Sequence, residues 1–322
     1  RRPPRSTLFP YTTLFRSLGD YSAMTQKQKR HSIHHPGMLY VSSFSELWER
    51  FSFYIVEALL VVYLIESKHL SQTYSYQLLG TYIANSFVLT LVGAYFGQNI
   101  IGFRSGVNLG AVLMSVGYAL LLDPDLEDLH RALALIVVGS AFFKPNMACF
   151  VGELYQAKNT PRYNAAYSIY YASIMIGVLL STSISGYVLD LYGWNVTFML
   201  ASISMAFAFV VFWVGNVFIH NHDYSKVHLL TSPYLRWSLW IFMQIALDNP
   251  SVAHGEMVVC VLALFGYFFK ELLSLSKPFR IRFYACVVLL FLSCIYWALL
   301  FQLFFSFNVM IKYIVNRQFF QF

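Results

Sequence analysis

The chain has 322 residues, of which 58% are hydrophobic, 18% aromatic and 11% charged, with a formal charge of +7 and a pI near 9.1. A soluble domain carries about a quarter charged residues, so too few polar side chains are present to coat a water-facing surface of this size. Nucleic-acid binding is also excluded, because such proteins gather Lys and Arg in a patch and here they are thinly spread between apolar runs; a multi-span helical membrane protein is expected.

Residues 1–17 are read as an artefact. The string from Thr7 to Ser17, TLFPYTTLFRS, matches the in-frame translation of a sequencing-library adapter, and it has neither caps nor periodicity. Setting aside Arg1, Arg2, Arg5 and Arg16 takes the formal charge from +7 to +3. Residues 18–38 then form a basic leader with a plausible native start at Met24, and His31, His34 and His35 belong to it.

Crossing the hydrocarbon layer as a helix takes roughly 20 apolar residues. Such runs fall near residues 39–65, 75–97, 105–122, 131–151, 165–189 and 195–219, with further stretches near 234–247, 256–273 and 283–315. Unpaired backbone amides are costly in lipid, and the runs neither alternate nor stay short, so helices are expected and a barrel is not. Orientation follows from Lys and Arg. With a cytoplasmic N-terminus, twelve basic residues fall on the cytoplasmic side, against Lys68, Arg131, Lys312 and Arg317 on the outer side.

The first span breaks its own composition rule with Glu46, Glu49, Arg50 and Glu57, and the fourth with Lys144. Each charge near the bilayer centre costs about 2.5–3.5 kcal/mol on insertion scales, so the five are expected to face protein or water and to pair. Glu46 and Arg50 are four apart, Tyr54 is four further on, and Glu57 three beyond that. The spacing draws one polar stripe along a helix. Glu46, near the helix start, has the alternative of reaching the cytoplasmic interface. Two carboxylates flanking one guanidinium leave one carboxylate over, a group able to take a proton from one side and release it to the other. Arg50 and Lys144 are suited to holding a substrate carboxylate. The combination reads as proton-coupled uptake of an anionic or zwitterionic solute.

Nothing in the spacing of Cys149, Cys260, Cys286 and Cys294 suggests a metal or redox site, and buried packing is expected of all four. No cofactor is expected. A membrane enzyme is disfavoured, since no His/Glu metal spacing, Ser/His pairing or phosphate loop is present.

The segment Glu46-Leu47-Trp48-Glu49-Arg50-Phe51-Ser52-Phe53-Tyr54 resembles the ExxERFxYY motif of the proton-dependent oligopeptide transporters of the major facilitator superfamily. Phe143-Lys144-Pro145-Asn146 resembles the family's fourth-helix FKPN segment. Gly152-Glu153-Leu154-Tyr155 and Pro161-Arg162-Tyr163-Asn164 are similar to the family's next loop and fifth-helix entry, and Tyr296-Trp297-Ala298 with Gln302 to its seventh-helix motif. The resemblance covers roughly residues 36–322 in consistent order and implies an all-α polytopic membrane protein. It predicts a six-helix N-terminal bundle at 39–219, an inter-bundle region with two inserted helices at 220–282, and the first helix of a second bundle at 283–322. Five further helices would complete that bundle, so an N-terminal fragment is expected. The implied function is symport of di- or tripeptides, or peptide-like solutes, with protons into the cell across the cell membrane. Glu46, Glu49, Arg50 and Lys144 would couple protons. Arg50, Tyr54, Lys144 and Trp297 would bind substrate.

Three departures mark a divergent member. Met175 stands where the family has an Asn, Glu57 where a basic residue is usual, and Phe301 where its acidic partner would lie. The loop expected at Gly93–Asn99 also lacks the usual Asp and Arg. A receptor or scaffold that keeps the bundle without transporting is the alternative reading.

Overall fold

The computed structural model describes residues 35–122, 125–155, 160–219 and 277–302, together with Gly266 and Met310. Residues 1–34, the stretch near 234–247 and, apart from Gly266, the stretch near 256–273 lie outside the described residues, as does the end of the last span apart from Met310.

Helix α1 (Gly37–Glu66) is followed by α2 (Gln72–Phe96), a π-helical turn (Gly97–Ile101), α3 (Phe103–Leu120) and α4 (Leu126–Glu153). One continuous helical run, Pro161–Ile219, is broken only at Gly193, whose φ of 78° and ψ of −176° belong to no helix. The break divides it into α5 (161–192) and α6 (194–219), and α7 (Lys277–Phe301) comes next. No strand occurs among the described residues. Gln72–Ile101, Leu126–Glu153 and Pro161–Phe218 are each long and apolar enough to cross a membrane. The 30 residues of α1 are long enough too, but carry the charged stripe.

The helix starts are written locally. Ser71 accepts a hydrogen bond from the Tyr74 amide at 3.3 Å and Asp125 one from the Asp128 amide at 2.7 Å, so each caps an N-terminus that lacks internal partners. Thr160 does the same for Tyr163 at 3.2 Å, with Pro161 in the first helical position, where its missing N–H is not needed. Glu127 and Asp128 place negative charge at the positive end of α4 and both pair with Arg131. At that end the Tyr74 hydroxyl lies 2.9 Å from His130 Nε2, tying α2 to α4.

Glycines and one proline set how closely α2, α3 and α4 approach. Pro145, inside α4, has no N–H for the Ala141 carbonyl, which is left without its helical partner. Helix α2 lies against that carbonyl at Gly93, where an added Cβ would stand 1.9 Å from the Ala141 oxygen. Beside it, Asn146 Nδ2 donates to the Gly93 carbonyl at 3.1 Å and to Phe142 at 2.6 Å. Gly97 and Gly106 both press on the Asn146 side chain, and Gly110 faces Gly139 and Phe143. Lacking a hydrophobic drive between helices in lipid, such close backbone packing is what holds a membrane bundle together.

The stretch Gly93–Asn99, expected as a loop, is helical instead. Its glycines serve contact with α4, and the reversal is confined to Gly102, whose φ of 81° requires glycine. Cys149 and Cys294 also differ from expectation: both are exposed. Cys260 and the Cys286 side chain lie outside the described residues.

Candidate functional site

The site is built on α1. Glu46, Glu49, Arg50, Phe53, Tyr54 and Glu57 occupy three consecutive turns, and Glu46 and Glu49 are 1% and 0% exposed. Arg50 Nε lies 3.1 Å from Glu46 Oε1 and 2.5 Å from Glu49 Oε2, so one guanidinium bridges both carboxylates. Glu46 is therefore an interior residue, enclosed by the protein and paired with Arg50. The buried Tyr170 of α5 lies beside Glu46 and Arg50. Helix α5 comes this close because Gly177 faces α1: a Cβ there would fall 2.4 Å from the Leu47 carbonyl oxygen and 2.9 Å from the Arg50 Cβ. On the far flank, the Ser45 hydroxyl donates to the Ala208 carbonyl of α6 at 2.7 Å.

Lys144 enters from α4, directly before Pro145. Its ammonium stands 3.6 Å from the centre of the Phe53 ring and 5.8 Å from that of Phe87, so ring faces and not a carboxylate hold it. Among the described residues no carboxylate lies within 4.0 Å of it. Arg50 faces the same Phe53 ring at 5.6 Å, which makes Phe53 the wall between the two cations. Helix α7 reaches the other of the two rings, Phe87. Phe301 packs edge-on against Phe87 at 6.1 Å, and Trp297 of the same helix lies tilted against Phe301 at 5.7 Å.

Residues 105–322 match the sequence profile of the POT family, PTR2. The chain belongs to the POT family. Among relatives, dipeptide and tripeptide permease B of Salmonella typhimurium is 29% identical over 279 residues, 83% of this chain and 56% of the permease. Its counterpart in Edwardsiella piscicida is 28% identical over 285 residues, 84% of this chain and 57% of the permease. The chain thus spans little more than half the length of these curated relatives. Among solved structures, a POT family transporter in complex with 5-aminolevulinic acid superposes with a TM-score of 0.71 at 26% identity, over 87% of this chain and 62% of that one. A peptide transporter POT in complex with sulfate gives 0.71 at 24% identity, over 88% and 62%. These likenesses make the all-α major-facilitator-type fold and the membrane setting of the POT chain plain.

Of the residues expected at the site, Glu46, Glu49 and Arg50 form one ion-paired cluster, with Tyr54 a turn beyond and Lys144 across the Phe53 ring. Trp297 is not part of that cluster. It is 43% exposed, and its described ring contacts are Tyr296 and Phe301 of its own helix. Met175 is exposed on α5. Sequence reasoning missed Phe53, Phe87 and Tyr170, because aromatic residues in an apolar helix carry no mark of what they face. Glu57 did have a signal, its place in the charged stripe, and it is buried one turn past the Phe53 ring. Among the described residues, no three His, Cys, Asp or Glu side chains converge as a metal site.

Proposed function

We propose that this POT chain is the N-terminal part of a proton-coupled symporter that carries di- and tripeptides, or peptide-like solutes, into the cell. Its bundle spans 39–219, followed by an inter-bundle region at 220–282 and the start of a second bundle at 283–322. The N-terminus faces the cytoplasm, as the Lys and Arg distribution favours. One observation carries the reading: a single guanidinium shared by two buried carboxylates, with a second cation held nearby by rings. Glu46, Glu49 and Glu57 outnumber Arg50 and Lys144 by one negative charge. Uncompensated charge in an apolar interior is costly, and one proton neutralises the set. A substrate carboxylate arriving at Arg50 and Lys144 adds a further negative charge, so binding and proton uptake support one another. Tyr54 hydrogen-bonds the peptide, and Trp297 walls a side-chain pocket. Names of relatives given to dipeptide and tripeptide permeases support the same substrate class.

Uptake of dialanine by the full-length protein in vesicles under an inward proton gradient tests this. Accumulation that disappears in Glu49→Gln and Lys144→Ala is expected. Dialanine binding without accumulation under any gradient would instead make the protein a receptor that kept the bundle.

A further inference from the structure

Glu57 is 1% exposed and lies one turn beyond Phe53, the ring that carries Lys144. Unlike Glu46 and Glu49, it makes no ion pair within 4.0 Å among the described residues, and its Oε2 is buried without a hydrogen-bond partner. Arg50 is taken by the other two glutamates. The charged and titratable groups around Glu57 come from four helices: Arg50 and Tyr54 of α1, Tyr82 of α2, Tyr118 of α3 and Lys144 of α4. The Tyr82 and Tyr118 hydroxyls are themselves buried without partners. From α7, the described ring contact is that of the uncharged Phe301 with Phe87.

We propose that Glu57 is a proton-carrying residue of this chain, coupled to substrate through Lys144. The proposal rests on the symport reading. In the empty site the Lys144 ammonium offsets the Glu57 carboxylate without forming an ion pair with it. When Lys144 turns to a substrate carboxylate, Glu57 loses this uncommitted countercharge and binds one proton from the outer aqueous side. When the substrate leaves, Lys144 returns and the Glu57 O–H releases that proton to the inside. One proton moves inward with one substrate carboxylate, and charge is conserved at each step. Glu57 is thus coupled to a lysine in its own bundle, with no charge required of α7.

The test compares two modes of transport of dialanine by the full-length protein: accumulation against a proton gradient, and counterflow, which needs none. In Glu57→Gln, accumulation should fall about tenfold further than counterflow, the size of an ordinary coupling between sites, and the pH dependence of accumulation should flatten. Glu57→Asp should restore the pH dependence in part. Unchanged accumulation and pH profile in Glu57→Gln would overturn the proposal. So would equal loss of both modes in Glu57→Gln and Glu57→Asp, which would mark Glu57 as structural. Absence of accumulation by the unsubstituted protein would instead sink the symport reading itself.

Discussion

Arg50 sits between two carboxylates and can neutralise only one, so the cost of removing it is larger than that of removing either partner. Arg50→Ala would leave Glu46 and Glu49 buried together without a cation, a loss of about 3–5 kcal/mol. Glu46→Gln keeps the Arg50–Glu49 pair and should cost much less. Thermal unfolding of the detergent-solubilised protein checks this ordering. At this scale the sequence was readable where chemistry is scarce. A charge in an apolar helix has to be explained, and the i to i+4 spacing of Glu46 and Arg50 foretold their pairing. The ring cage was not readable, because Phe53 and Phe87 are two among 30 phenylalanines and only packing distinguishes them.

Among the helices, glycine carries most of the specificity, and its positions are not equivalent. Gly93→Ala would drive a Cβ into the Ala141 carbonyl, with backbone on both sides, and should destabilise by about 1–3 kcal/mol. Gly80 lies in the same helix with nothing within 4 Å of its would-be Cβ, so Gly80→Ala should stabilise by about 0.5–1 kcal/mol through helix propensity. Parallel melting curves for the two variants decide whether proximity or composition governs. Within the described residues, the span positions were legible from apolar run length alone. The π-helical turn was not, since a run of Gly, Gln and Asn reads locally as a loop, and its Gly97 packs against Asn146 of another helix. The break at Gly193 lay between: the gap in the apolar pattern was visible, and the abruptness of the turn came from one dihedral angle.

Over the whole molecule, the described helices α5, α6 and α7 present Tyr171, Leu179, Phe207, Trp213, Leu289 and Phe291 outward, all exposed. An apolar outer surface of this extent suits lipid or another bundle and not water. The proposed orientation makes a directional claim. His69, exposed between α1 and α2, should face the outside, and the exposed Asn99 the cytoplasm. In a cysteine-free background, a membrane-impermeant maleimide should label His69→Cys in intact cells and Asn99→Cys only after permeabilisation. The reverse pattern would invert the topology.

The contact between Phe87 and Phe301 has a consequence in how the protein answers to its surroundings. Where two helices meet through an ion pair, added salt screens the attraction and loosens it. Two apolar rings have no charge to screen, and between helices in lipid they are held by packing and not by water. The meeting of α2 and α7 through these two rings is therefore indifferent to ionic strength.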